Sequence, residues 1–213
     1  IFRGAAASEE GKARECMSEL ANASQVLSKS LQNAISRLAA VLERFIKPSL
    51  DLFKDNDYET SQAAYVESTS VVDLISAVET TLEPFKEGLN SNCLDTLVAT
   101  IISEHVLPSL ERLVIGKKAP NFSQLGAMQF DKDLRAITGF FSGISQRTVR
   151  DQFTRVSQMS LVLNLGEPAE IMEYNWGEQG GGGVLWRLNA DEVRKVMERR
   201  TDFKKERIQA LRL

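Results

Sequence analysis

The sequence predicts an all-α fold: an elongated stack of antiparallel amphipathic helices, a helical rod, with a smaller C-terminal helical subdomain. Two observations carry this. Apolar residues recur every three to four positions along most of the 213 residues, the spacing of one face of an α-helix. Gln129–Leu165 shows it most plainly, with two apolar stripes separated by a small-residue break at Gly143–Ser145. The other observation is spacing: three long periodic stretches lie close together in the first half, and short connections between long helices imply an up-down stack.

The elements follow in order. Ile1–Glu10 is small and polar and reads as a frayed lead-in. Cys16–Phe45 is a long helix with Leu20, Leu27, Leu31, Ala34, Leu38, Val41 and Phe45 on one face. Pro48, which cannot donate to the helix ladder, should stop or kink it, with Leu50, Leu52 and Phe53 extending the apolar surface for one more turn. Asp55–Thr60 is a loop. A second helix covers Val71–Leu89, with Val71, Ile75, Val78, Leu82, Phe85 and Leu89 inward and a kink set by Pro84. The third covers Leu94–Leu113, bent at Pro108, with Leu94, Leu97, Val98, Ile101 and Ile102 as core.

Gly116–Gly126 is loop-like, and the main internal boundary falls here. Residues 1–125 then form a bundle of three long helices and residues 126–213 the compact subdomain. Phe130, Leu134, Ile137, Phe141 and Ile144 make the next stripe, with Asp131 and Asp133 at the positive end of its dipole. Val149, Phe153, Val156, Met159 and Leu163 make the one after. Pro168 suits the first turn of a short helix to Tyr174 that turns Ile171 and Met172 inward. Trp176–Gly183 is a glycine-rich loop, and Val184–Trp186 is an extended anchor re-entering the core. Asn189 and Glu192 have the spacing of a capping box, opening a helix that buries Val193, Val196 and Met197. Phe203, Ile208, Leu211 and Leu213 close the chain.

Composition narrows the function. A chain of this length holds one large domain or two small ones. It opens on Ile-Phe-Arg rather than Met, as expected of a fragment of a longer polypeptide. Net charge is −3, which argues against general nucleic-acid binding. Cys16 and Cys93 lie far apart with no CxxC, which suggests neither a disulfide framework nor a zinc site and fits a reducing compartment. No apolar run approaches the roughly 20 residues that span a bilayer, and no signal peptide stands at this N-terminus. The single histidine, His105, extends an apolar stripe with no Cys or His beside it and reads as structural. The four glycines of Gly180–Gly183 are followed by no Lys-Ser/Thr and preceded by no apolar strand, so they do not read as a phosphate cradle. No catalytic, cofactor-binding or metal site emerges. Eight basic residues against five acidic ones in Asp191–Leu213 form a solvated face or, alternatively, a surface for a protein or membrane partner.

One arginine stands out. On a helical projection, about 100° per residue, Arg155 falls at the edge of the Val149–Leu163 stripe. It either extends past that stripe into water or is held there by a carboxylate.

Five segments, QFDKDLR (129–135), TVRDQFTRVSQM (148–159), LNL (163–165), WRLNADEVRKV (186–196) and DFKKERIQALRL at the end, with looser matches at CMSEL, IKP and NDYE upstream, resemble the carboxyl-terminal part of the subunit-4 family of the conserved oligomeric Golgi complex. The match covers nearly the whole chain and is densest after Gln129. It departs in the longer Gly180–Gly183 run and in Asn189-Ala190, where the family more often has Thr-Pro. The resemblance implies a helical-rod tethering fold without catalytic residues or cofactors. It implies a peripheral position on the cytosolic face of Golgi membranes and work in retrograde, intra-Golgi vesicle transport, SNARE assembly and maintenance of glycosylation. The implied partners are the sibling subunits, SNARE proteins and a Sec1/Munc18-type protein, with no nucleic acid.

Arg155 and Glu192 both lie inside the densest family motifs and each borders an apolar helix face. The reading of the residues is therefore an ion pair that ties, or hinges, two helices. Two alternatives stand beside it: Glu192 engaged only in the cap with Asn189, and Asp151 as the i,i+4 partner of Arg155.

Overall fold

The computed structural model describes residues 2–59, 69–145, 148–174, 186–211 and 213, with side chains from residue 11 onward. It is a helical stack, and among these residues the sole extended pairing is an isolated parallel bridge between Phe122 and Arg200. Helix α1 (Phe2–Lys54) is followed by α2 (Ser70–Gly88) and α3 (Ser91–Ile101), then by a π-helical turn (Ile102–Val106) that leads directly into α4 (Leu107–Ile115). The second half holds α5 (Gln124–Ile144), α6 (Arg150–Leu163), a 3-10 turn (Pro168–Tyr174), α7 (Ala190–Met197) and α8 (Lys205–Gln209). α1 packs on α2 and α3, α5 on α6, and α6 on α7, while α4 reaches both α6 and α7.

The expected start of the first helix is corrected, and the three prolines Pro48, Pro84 and Pro108 lie within continuous helix. α1 is helical from Phe2, where a frayed lead-in was expected, and it runs through Pro48 to Lys54. Pro48 and Arg44, whose carbonyl the proline leaves without its N–H, both lie on the exposed side of α1, where that carbonyl is open to solvent rather than buried without a donor. Pro84 sits likewise on the exposed side of α2, which continues past it to Gly88. Pro108 lies directly after the π-helical turn Ile102–Val106, where the regular i→i−4 ladder is already interrupted.

Which α1 face is inward is also corrected. Leu20 and Leu27 are each 70% exposed, and Leu31, Val41 and Phe45 are exposed too. The buried seam runs through Ile35, Ala39, Leu42, Ile46, Leu50 and Phe53. Both seams have helical period, and period alone does not choose between them. Met172, expected inward, is exposed, whereas Ile171 is fully buried.

The continuous helical stretch Ser91–Ile115 has the length and composition to cross a membrane, although no run of that extent was expected. Here it is the central core helix, burying Leu97, Val98, Ile101, Ile102, Val106, Leu110, Leu113 and Val114. Asn90 caps its start by accepting from the Cys93 N–H at 2.9 Å, as an Ncap asparagine does. The Gly180–Gly183 run and Val184-Leu185 lie outside the described residues.

α5 begins a turn and a half before the expected acidic start. Ser123 caps it, accepting from the Gly126 N–H at 3.0 Å. Asp131 and Asp133 therefore lie inside the helix rather than at its dipole. Asp131 accepts from Ser160 Oγ (3.0 Å) and pairs with Arg135 (2.6 Å). Asp133 is fully buried. Its Oδ1 accepts from Gln129 Nε2 at 2.6 Å, while its Oδ2 and Gln129 Oε1 have no partner among the described residues.

Burial pushes the Asp133 carboxyl up to about 6, against the Gln129 hydrogen bond and the Lys132 charge, which pull it down. A carboxyl raised in the folded state holds its proton more tightly than in the unfolded chain. Stability therefore falls as pH rises from the ordinary aspartate range to about 6, and stays at the lower level above that. Asp133→Asn removes the buried charge. It is expected to stabilise the protein by about 2 kcal/mol at pH 7 and by little near pH 4. Melting temperatures of both proteins at the two pH values check this. A destabilised mutant at pH 7 would mean that the ionised carboxylate is the favoured form.

Candidate functional site

Among the described residues, Arg155 joins three segments through one side chain. It lies at the edge of the α6 face formed by the buried residues Phe153, Val156, Met159, Val162 and Leu163. From there its guanidinium reaches three other segments. Nε donates to Glu111 Oε2 on α4 at 3.2 Å. Nη1 donates to the Arg187 carbonyl at 2.7 Å and to Glu192 Oε2 at 3.1 Å. Nη2 donates to Glu192 Oε1 at 2.5 Å. The contact with Glu192 is thus a two-pronged fork, the geometry that guanidinium and carboxylate share. The Arg155 side chain is 26% exposed, Glu192 20% and Glu111 30%.

Glu192 closes a capping box at the same time. Its Oε2 accepts from the Asn189 N–H at 3.0 Å, and Asn189 Oδ1 accepts from the Glu192 N–H at 2.9 Å. Cap and ion pair coexist because a carboxylate has lone pairs enough for both. The chain entering α7 is fixed once more where Gln158 Oε1 accepts from the Arg187 N–H at 2.7 Å. Arg155 and Gln158, three apart on one face of α6, hold both backbone groups of Arg187. Asp151 is exposed, and none of these bonds goes to it. Glu111 and the Arg187 carbonyl were not foreseen, because nothing local in sequence links residue 111 to residue 155.

Charge follows from geometry. Hydrogen bonding to Glu192 raises the already high pKa of Arg155, and the Arg155 bond holds the Glu192 carboxyl below its ordinary value. A carboxylate depressed in the fold adds stability above the ordinary glutamate range, and that stability is lost as pH falls through the depressed value. A pair this exposed should contribute more than a surface pair, at most about 1 kcal/mol, and less than a fully buried one, about 3–5 kcal/mol. Arg155→Trp is therefore expected to cost about 2 kcal/mol and to lower Tm by roughly 4–8 °C, read by calorimetry. Glu192→Gln, which keeps an acceptor for the cap, should cost about half as much. A tryptophan variant that melts with wild type would show that the fork adds nothing.

The C-terminal basic residues, expected to form a solvated face, are partly turned inward. Arg200 is only 3% exposed. Arg199 donates to the carbonyls of Ala119 (3.2 Å) and Gly116 (2.9 Å). The backbone joins in: Phe122 N–H donates to the Arg199 carbonyl at 2.7 Å and Thr201 N–H to the Phe122 carbonyl at 3.0 Å. The loop after α4 is thereby bonded to the turn after α7. The one sequence clue was Arg-x-Asp followed by Phe at 200–203, a local pairing hidden in a run of charges. Lys195, Lys204, Lys205 and Arg207 remain exposed.

His105 lies in the π-helical turn with Nδ1 3.9 Å from Glu43 Oε2. Among the described residues no three His, Cys, Asp or Glu side chains are grouped to hold a metal ion.

The arrangement thus binds helices to one another, and comparison with known proteins says which helices these are. A family model described as conserved oligomeric Golgi complex subunit 4, C-terminal, matches residues 5–195. The chain belongs to this family. It is 36% identical over 212 residues to conserved oligomeric Golgi complex subunit 4 of Arabidopsis thaliana, covering 98% of this chain and 28% of that protein. It is 31% identical over 226 residues to the Homo sapiens subunit, covering 100% and 27%, and 33% identical over 198 residues to that of Dictyostelium discoideum, covering 91% and 21%. The chain spans about a quarter of the length of these relatives. The family match includes the whole Arg155 constellation, with Glu111, Asn189 and Glu192 inside its limits.

Proposed function

We propose that this chain is the non-enzymatic, C-terminal docking arm of a vesicle-tethering complex subunit at the Golgi. The family match across residues 5–195 carries the reading. The chemistry of the chain suits it: amphipathic helices locked by arginine forks present surface rather than a reactive centre. In this reading the chain joins sibling subunits and serves retrograde and intra-Golgi transport from the cytosolic face of Golgi membranes, as a peripheral protein. Through SNARE proteins and a Sec1/Munc18-type protein it assists SNARE assembly and so maintains glycosylation. The division into 1–125 and 126–213 enters as one of topology, rod helices against a compact end. Arg155 and Glu192 act as the lock of that end, a structural role rather than a partner contact.

Affinity capture of sibling subunits tests the proposal. Reversing the exposed charges Lys195, Lys204, Lys205 and Arg207 should reduce recovery of partners while Tm stays within about 2 °C. If a full-length subunit lacking this region recovers the same partners and restores Golgi glycosylation as the intact one does, the proposal fails. A second reading, direct lipid contact, draws on those same four exposed cations. Flotation with liposomes that requires anionic lipid would favour it.

A further inference from the structure

The first helix carries a second apolar seam, which from Met17 to Leu31 no described residue covers. Met17, Leu20, Ser24, Leu27, Leu31, Ala34, Leu38, Val41 and Phe45 repeat with strict three-four spacing, the a and d positions of a heptad. Every described residue of α1 from Gly11 to Ala34 is exposed, a length of about 36 Å at 1.5 Å per residue. The groove in its surface is lined by Leu20, Ala23, Leu27 and Leu31 with two serines. Between Met17 and Leu31 charged residues avoid this side: Glu19 and Lys29 fall away from it, while Arg14 flanks its start. An apolar face of this extent marks an interaction surface, and most helices owe their stability to such a face being packed.

We propose that this seam is the docking site of an amphipathic helix supplied by the part of the full-length subunit that precedes residue 1. Three observations select that occupant over a second copy or a separate protein. Two-stranded pairings between chains are specified by opposite charges at the positions flanking a and d, whereas here those positions hold Ala21, Ala23, Ser28 and Ser30, with Arg14, Arg37 and Arg44 toward the ends and no acidic residue among them to pair with a second copy. Small flanking residues suit close approach inside a multi-helix bundle. The matched region is the C-terminal part of the family and 28% of the plant relative, so the relatives carry most of their length ahead of it, and consecutive helices pack side by side. Finally, the open seam lies alongside the buried one at Ile35, Ala39 and Leu42 and extends beyond it toward the N-terminus, so an added helix would enlarge an existing core. The inference rests on family membership and these exposures, not on the tethering role.

Maleimide labelling, read peptide by peptide by mass spectrometry, tests it in the full-length subunit and in the 213-residue chain. The probes are the native Cys16, exposed on the edge of the seam, and Leu27→Cys within it. Gln25→Cys on the opposite face is the control. Both seam probes should label at least tenfold more slowly in the full-length subunit than in the short chain, with the control equally fast in both. Equal seam rates would overturn the proposal. So would protection already present in the short chain that grows with its concentration, the mark of a second copy. Protection of the full-length subunit that appears only when sibling subunits are added would overturn it as well. Because Cys16 needs no substitution in the seam, a poorly folded Leu27→Cys subunit leaves the test intact.

Discussion

Arg200→Ala is expected to destabilise the protein by about 3–5 kcal/mol and to lower Tm by on the order of 10 °C. The side chain is buried, and each arm of its guanidinium is engaged. Nη1 donates to the carbonyls of Leu163 and Leu165, the latter at 3.1 Å. Nε and Nη2 form a fork with Asp202, at 2.9 and 2.7 Å. The guanidinium carbon lies 4.4 Å from the centroid of the Phe203 ring. The two carbonyls stand where α6 ends, and the last carbonyls of a helix need a partner from outside it. Leu163 and Leu165 are buried, so without the arginine those carbonyls lose their donor where water does not replace it, at about 1–3 kcal/mol each. Asp202 is half-exposed and rehydrates, so its share is smaller. Arg200→Lys retains charge but not the fork, and an intermediate loss is expected.

The same arrangement has a pH signature. The Arg200 hydrogen bond holds the Asp202 carboxyl below its ordinary value. Its contribution is present above the ordinary aspartate range and disappears as pH falls through the depressed value. Arg200→Ala should therefore lose less stability than wild type between pH 5 and about 3, measured by urea unfolding at each pH. A loss below 1 kcal/mol at pH 7 would mean that the turn after α7 closes without this arginine.

Periodicity made most of this architecture legible. The stripes over Phe130–Phe141 and Phe153–Leu163 are buried as read, because a core-facing helix must place apolar side chains at that interval. What periodicity leaves open is the choice among partners. α1 has two seams of equal regularity, and the one with more leucines is the open one. Prolines leave a related choice open: at Pro48 and Pro84 the helix continues with the lost bond on its exposed side, a fact about tertiary position. The juxtaposition of Arg155 and Glu192 could be reasoned from two apolar faces, whereas Glu111 joins them across 44 residues of chain. Asp133 reads as a dipole partner only while α5 is thought to start late. The Ser123 cap moves the start back and turns the same carboxylate into a buried group.

Gly126→Ala should be as damaging as loss of Arg200, although it adds one methyl group. A Cβ at residue 126 would stand 1.7 Å from the Tyr58 carbonyl oxygen, 2.6 Å from its carbon and 3.0 Å from its Cα. All three are backbone atoms, so no side-chain rotation relieves the overlap, and the chain around Tyr58 and the first turn of α5 must separate by more than 1 Å. That carbonyl is also the acceptor for the Ser123 N–H at 3.0 Å, from the residue that caps α5. The Tyr58 ring lies 4.8 Å from Phe122 and 6.1 Å from Phe130, centroid to centroid. Moving Tyr58 opens this aromatic cluster and stretches the cap together. Overpacking of this kind costs about 1–3 kcal/mol and sometimes more, and the stretched hydrogen bond adds about 1 kcal/mol. The expected loss is therefore about 4 kcal/mol, with Tm down by roughly 8–15 °C. Gly139→Ala, further along α5, provides the opposite sign: nothing lies within 4 Å of its added Cβ, and alanine is favoured over glycine in a helix interior by about 1 kcal/mol. Measured side by side, one substitution should lower the melting temperature and the other raise it. Equal effects would show that the Tyr58 segment and the first turn of α5 do not meet at Gly126, since helix propensity alone stabilises both.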